Sequence, residues 1–272
     1  MLIAQITDTH IMLPGALAYG RVDTAAMLER CVAALCRREP KPDLIVLTGD
    51  LVDRGMAAEY VHLRKLLAPL TSPLVVIPGN HDDREALRAA FVDHAYLPAQ
   101  GFLQFTIDAP YPVRLVGLDT LVPRRGGGAL CDERLAWLDL ALAKHPHQPT
   151  VVLMHHPPFV TGIGHMDRLG LAGREGFARI IGRHRQVQLI LCGHLHRNIQ
   201  ARIGNCSVMT APSTAHQVAL DLRADAPSRF NMEPPGYLLH RWDGEGFVSH
   251  QACIEDYPGP FPFFAADGSL IN

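Results

Sequence analysis

Six short apolar runs set the frame of this chain: LIAQIT (2–7), DLIVLT (43–48), PLVVIP (73–78), VRLVGL (113–118), TVVLM (150–154) and VQLILC (187–192). Each is rich in Val, Ile and Leu and is bounded by polar, Gly or Pro residues, the pattern of a strand buried on both faces. Helical stretches lie between them. DTAAMLERCVAALCRRE opens on an aspartate cap and closes on basic residues before a proline, and AAEYVHLRKLLAPL, DREALRAAFVDH, DERLAWLDLALAKH and GREGFARIIGRH behave alike. Such alternation predicts an α/β fold whose sheets are covered by helices. Beyond the last run the character changes, and IQARI, CSVMTA, GYLLHRW and FVSHQACI read as antiparallel strands. With no repeat, low-complexity tract or visible linker, residues 1–272 read as one domain. The segment 215–235 is weak in both signals and reads as an extension, an oligomerisation arm.

Five of the six runs end on side chains able to hold a metal. Asp8-Thr9-His10 follows the first, Gly49-Asp50 with Asp53 the second, and Gly79-Asn80-His81-Asp82 the third. His155-His156 follows the fifth, and Gly193-His194-Leu195-His196 the sixth. Ligands of open α/β sheets bind at the carboxyl ends of strands, and a chance scatter of 15 histidines would not choose those places. Singly, each motif has a plain reading: an aspartate after a strand caps a helix, and Gly-Asn makes a turn. Jointly and in order, Asp8, His10, Asp50, Asn80, His155, His194 and His196 are too many groups for one ion and suit two ions sharing a carboxylate. Imidazole, carboxylate and amide donors without thiolate fit Fe, Mn, Zn or Co rather than a structural zinc.

The ordered set D-T-H, G-D-x-x-D, G-N-H-D, V-x-x-H and G-H-x-H resembles the calcineurin-like metallophosphoesterases over nearly the whole chain. GNHDD, MHHPP and APSTAHQ are most similar to the bacterial class III cyclic-nucleotide phosphodiesterases and their glycerophosphodiesterase relatives. The resemblance implies a four-layer αββα sandwich. It implies one ion on Asp8, His10, Asp50 and His196 and another on Asp50, Asn80, His155 and His194, with Asp50 bridging. The V-x-x-H spacing selects His155 over His156. Catalytic roles fall to Asp50 and to His81, which would contact phosphate or the leaving oxygen. Asn80 and His81 are the implied substrate-binding groups at the metals, and Tyr19 and His216 match positions that line the substrate pocket in the glycerophosphodiesterase-like relatives. For Tyr19 and His216 a loop aromatic and a structural histidine are the plain alternatives. The implied reaction is in-line attack of hydroxide on a small phosphodiester, such as 3′,5′-cyclic AMP or a glycerophosphodiester.

LTGDLVDRG (47–55) is also the wording of serine/threonine protein phosphatases, so phosphomonoester or phosphoprotein hydrolysis on the same scaffold is the alternative. The other motifs depart from that family: TDTHI lacks its glycines, GNHD stands for GNHE, and CGHLH is intact. Asp53 has a plain task in holding a ligand histidine. Arg54 pairs with a phosphate or makes a surface ion pair. Arg54 and Arg84 are the cations beside the motifs; that shortage leans toward diesters, which carry a single negative charge. RRGGG (124–128) reads as a solvent loop, with a place over the site as the other reading.

A formal net charge of −2 disfavours nucleic acid as a partner, and a scaffold that had lost its metals would not keep every ligand. The start MLIAQITD lacks a basic leader, no apolar run reaches membrane length, and the six cysteines form no C-x-x-C pair. The expectation is a cytoplasmic protein, without a membrane partner, with reduced and mostly buried thiols. YPGPFPFF (257–264) is too rich in proline for a helix. It is too apolar to be left uncovered, so it predicts packing on its own core or a homo-oligomer, a dimer or larger.

Overall fold

The computed structural model describes residues 1–271. In chain order it runs β1 (Leu2–Ile6), α1 (Thr24–Arg37), β2 (Leu44–Thr48), α2 (Ala57–Leu67), β3 (Leu74–Ile77), α3 (Arg84–Ala90), β4 (Phe105–Ile107) and β5 (Arg114–Gly117). It continues with β6 (Gly128–Ala129), α4 (Asp132–Ala143), β7 (Thr150–Leu153), α5 (Gly164–Asp167), β8 (Leu171–Ala172), α6 (Arg174–Arg183) and β9 (Val187–Cys192). The remainder is β10 (Ile199–Ile203), β11 (Cys206–Thr210), β12 (Gln217–Val218), β13 (Phe230–Asn231), β14 (Gly236–Trp242) and β15 (Phe247–Cys253).

Two sheets carry the fold, one in the order β15-β14-β1-β2-β3 and the other β10-β11-β9-β7-β5-β4. Strand alternation assigns the layers. Ile45 and Leu47 of β2 pack under α1, α2 and α3 with Leu28, Leu63 and Leu87. Leu44 and Val46 face the other way, onto Leu153, Leu189 and Leu191 of the second sheet. The outer face of that sheet, with Val152 and Ile190, meets Leu138 and Leu142 of α4 and Phe177 and Ile181 of α6. The result is the four-layer αββα sandwich that the resemblance implies. Local chemistry agrees with it: Asp23 caps α1 by accepting from the Ala26 amide at 3.0 Å, and Met27, Leu28, Cys31, Val32 and Leu35 form its buried stripe.

Three features differ from the sequence reading. The edge strand β4 is too short and too mixed to show a period. β11 is not purely antiparallel: it inserts between β10 and β9, antiparallel to the first and parallel to the second. Half of the thiols are exposed, since Cys36, Cys131 and Cys253 sit at the solvent side of α1, at the start of α4 and at the end of β15; Cys31, Cys192 and Cys206 are buried. All six are free, and no helix among the described residues is long and apolar enough to cross a membrane. The segment 215–235 folds back as the pair β12–β13, and the 257–264 tail is left uncovered by its own core, with Phe261 and Phe263 74% and 78% exposed.

A polar cluster around Gln5 lies between the sheets. Gln5 donates to Thr48 Oγ1 at 3.0 Å and to the Cys192 carbonyl at 2.8 Å, and its Oε1 accepts from His240 Nε2 at 3.1 Å. Burial lowers the pKa of His240 to about 3. A depressed folded pKa means that His240 supports the fold above pH ~6.5 and withdraws that support as pH falls toward the folded value. Unfolding free energy should therefore fall with acid more steeply in the wild type than in His240→Gln, by up to about 1.4 kcal/mol per pH unit. Urea titrations over that range measure the difference; equal slopes would contradict it.

Candidate metal centre

The ends of β1, β2, β3, β7 and β9 bring Asp8, His10, Asp50, Asn80, His155, His194 and His196 together at one edge of the sandwich. Asp8, His10, Asp50, His155, His194 and His196 are all buried. The backbone is bent to place them: Asp8, His10, Asp50, His194 and His196 all have φ between 44° and 70°. That left-handed region is uncommon for side-chain-bearing residues and collects at functional sites. Glycines give these turns their room. A Cβ on Gly79 would overlap the amide and carboxylate of Asp50, and one on Gly193 would overlap Thr7 Oγ1.

Each imidazole is oriented by a carbonyl or carboxylate behind it. His155 Nδ1 donates to the Thr48 carbonyl at 2.8 Å and His196 Nδ1 to the His216 carbonyl at 2.9 Å. His194 Nε2 donates to the Leu169 carbonyl at 3.1 Å, and His10 Nδ1 lies 3.3 Å from Asp53 Oδ1. Those bonds fix the tautomers, so the opposite nitrogens carry lone pairs. The lone pairs converge: His10 Nε2 and His196 Nε2 are 3.1 Å apart. His155 Nε2 is 3.2 Å from Asn80 Oδ1 and 3.4 Å from Asp50 Oδ2, while His196 Nε2 is 3.4 Å from Asp8 Oδ1. A buried set made of acceptors repels itself unless cations lie among them. Ligand atoms lie within 4.8 Å of one another inside each of four triplets, three of which share His10, Asp8–His10–Asp50 among them, while the fourth is His155–His156–His194. The residues present thus fit metal ions.

The charge balance without metal points the same way. Burial opposes a charged His155, yet Asp50 and Asp8 outweigh it and raise its pKa to about 9. Burial likewise opposes charge on Asp50, and His155, His81 and His10 hold its pKa well below the ordinary carboxylate value. Protons occupy there what cations would replace.

His156 is excluded as an open ligand. Its Nδ1 is 2.8 Å from Thr120 Oγ1 and its Nε2 3.1 Å from the Gly126 carbonyl, and burial drops its pKa to about 3. His81 stands at the open side: its Nδ1 donates to the Asp53 carbonyl at 2.7 Å, and its amide donates to Asp50 Oδ1 at 2.8 Å. Asn80, His81, Tyr19 and His216 all line a cavity of about 370 Å³ over the cluster. Tyr19 sits edge-on to His216 at 5.2 Å and close to Phe230 at 5.0 Å, so the β12–β13 segment walls this cavity.

Sequence reasoning missed other lining groups. His165 of α5 and Arg229 also border the cavity. His165 and His216 each keep a buried Nδ1 without a hydrogen-bond partner. No strand precedes GIGHMD, so nothing in the pattern marked His165. Asp82, named with the third run but given no role, accepts from the Leu51 amide, the Gly79 amide and the Tyr60 hydroxyl, tying two metal loops together. The basic groups need correction. Arg84 is spent on Asp119 in a two-pronged pair at 2.6 and 2.8 Å. The 124–128 loop borders the site: Arg124 and Arg125 line a second cavity, of about 660 Å³, together with Arg54, Asn80 and His81.

A family model for calcineurin-like phosphoesterases matches residues 1–198. A probable glycerophosphodiester phosphodiesterase, GpdQ, of Arcobacter nitrofigilis is 40% identical over 274 residues, covering 100% of both chains. A probable cyclic nucleotide phosphodiesterase of Rhodopseudomonas palustris is 37% identical over 258 residues, 94% of this chain and 93% of that one. The crystal structure of a dimetal phosphatase from Danio rerio superposes with a TM-score of 0.67 at 13% identity, covering 94% of this chain and 97% of that one. At such identity the likeness speaks for the fold alone.

Proposed function

The chain belongs to the calcineurin-like phosphoesterase family, and on that premise we propose that it is a metal-dependent phosphodiesterase acting on small diesters, glycerophosphodiesters or cyclic nucleotides such as 3′,5′-cyclic AMP. The observation that carries this reading is the converging set of lone pairs around His10, His196, His155 and Asp50, beside a cavity that His81 overlooks. Asp8, His10, Asp50 and His196 would hold one ion and Asp50, Asn80, His155 and His194 the other. Fe, Mn, Zn and Co all suit these donors. When bound, such a pair supplies Lewis acidity and lowers the pKa of water for in-line attack on phosphorus.

The chain's own residues do the rest. Asn80 and His81 reach the phosphoryl oxygens from the open side. With Nδ1 committed to the Asp53 carbonyl, His81 offers Nε2 to the substrate. Protonated there, it gives its proton to the departing alkoxide. Tyr19, His216 and Phe230 shape the space for one ester arm. Asp53 orients His10; Asp53→Ala should weaken metal binding about 10–100-fold, read by metal titration. The names of the relatives favour diesters over the phosphomonoester alternative.

The exposed aromatic tail supports a homo-oligomer, a dimer or larger, and a monomeric mass from light scattering would refute that. The direct test of the function is turnover of glycerophosphoglycerol and of 3′,5′-cyclic AMP by protein loaded with Mn²⁺, with products identified by chromatography. Release of glycerol phosphate or of a nucleoside monophosphate is expected, and turnover of neither would overturn the proposal.

A further inference from the structure

The cavity of about 660 Å³ beside the metal cluster shares Asn80 and His81 with the smaller one, so the two meet where phosphorus would sit. Four arginines face it, and their circumstances differ. Arg84 is neutralised by Asp119. Arg54 is loosely paired with Asp53 at 3.8 Å, its side chain 65% exposed. Arg124 and Arg125 have no carboxylate within 4.0 Å among the described residues. The acids of the cavity are committed elsewhere: Asp83 accepts from the Glu85 and Ala86 amides of α3, Glu85 pairs with Arg88, and Asp82 is buried against Tyr60.

Two further observations set the arginine loop apart from an ordinary surface turn. Seven non-glycine residues among those described have positive φ; five are candidate metal ligands, one is Tyr19, and the seventh is Arg124, at 61°. The loop is also anchored to the metal motif. His156, next to His155, points Nε2 at the Gly126 carbonyl at 3.1 Å, and a Cβ on Gly128 would overlap the His156 ring. The Arg125 amide closes the turn onto the Val122 carbonyl at 3.1 Å. The backbone that carries these two exposed arginines is thus held by the neighbour of a candidate metal ligand, which sets the place of the loop beside the cluster.

We propose that Arg124 and Arg125, assisted by Arg54, form an anion subsite for the second ester arm, so that the enzyme prefers phosphodiesters carrying an additional negative charge on that arm. This rests on the diesterase reading. One arm occupies the cavity of Tyr19, His216 and Phe230, and the other extends past Asn80 and His81 toward the arginines. A carboxylate or further phosphate on it is favoured, and a quaternary ammonium there is repelled.

Three p-nitrophenyl diesters of similar length test this: the 2-carboxyethyl, the propyl and the choline ester of p-nitrophenyl phosphate, assayed with Mn²⁺-loaded protein. The expected order of kcat/KM is carboxyethyl over propyl over choline, with about tenfold between the extremes, shrinking as salt is raised. In Arg124→Ala/Arg125→Ala the ratio of carboxyethyl to propyl should collapse toward one, while Arg124→Lys/Arg125→Lys should retain most of it. Turnover of the propyl ester without a charge order, or an order unchanged in the alanine variant, overturns the subsite and leaves the diesterase reading standing. Turnover of none of the three would overturn both.

Discussion

Asp50→Asn should lower kcat/KM by about 1,000-fold or more, and with it the ability to retain either metal ion. Asp50 is the carboxylate that faces both groups of histidines, with Oδ2 3.6 Å from His10 Nε2 and 3.4 Å from His155 Nε2. Asparagine keeps the shape and removes the charge that two cations would share. Losing several kcal/mol of Lewis-acid stabilisation in the transition state corresponds to that factor. Asn80→Ala is the informative companion, because Asn80 Oδ1 sits 3.2 Å from His155 Nε2 and serves that side of the cluster. Metal analysis after gel filtration should show two ions per chain in the wild type, one in Asn80→Ala and none in Asp50→Asn. Full metal content in Asp50→Asn would contradict the bridging role.

Gly79→Ala should be as damaging, for a steric reason. Its Cβ would occupy the space of the Asp50 amide and carboxylate, which are backbone and buried side chain with nowhere to move. Overpacking of this sort costs about 1–3 kcal/mol of stability and displaces the bridging group. Gly182, near the end of α6, is the contrast: a Cβ there meets nothing within 4 Å. Gly182→Ala should instead stabilise the protein by about 0.5–1 kcal/mol, by restricting the unfolded chain and improving helix propensity. Urea midpoints that move in the same direction for both variants would show that the close approach at Gly79 is not what constrains it.

The strands and the metal motifs were legible because they follow local rules. A buried strand announces itself in four to six residues, and the residues just after it fall at the sheet edge whatever the rest of the chain does. The αββα layering follows from which residues of β2 face α1 and which face β7 and β9, and alternation cannot say which neighbour each face will have. The groups that were missed act across long sequence separations. His165 and Arg229 become part of the site only because α5 and the β12–β13 pair close around it, and the arginine loop, legible as a loop with two readings, borders the site through the 124–128 turn. Arg84 shows the converse: beside GNHDD it resembles a phosphate ligand, and 35 residues away Asp119 claims it. A preference for β11 to pair with β9 as well as β10 likewise depends on where the sheet has an open edge, which no window of sequence contains.

The measurement that bears most directly on the central claim is one ratio: kcat/KM for bis(p-nitrophenyl) phosphate over that for p-nitrophenyl phosphate, with Mn²⁺-loaded protein. Apart from Asp50 of the cluster and Arg229, the innermost cavity is lined mainly by histidines, Asn80, aromatics and apolar side chains, a setting with few cations for a doubly charged phosphoryl group. A ratio well above one is predicted. A ratio well below one would contradict the diesterase account and make this chain a phosphomonoesterase on the same metal scaffold.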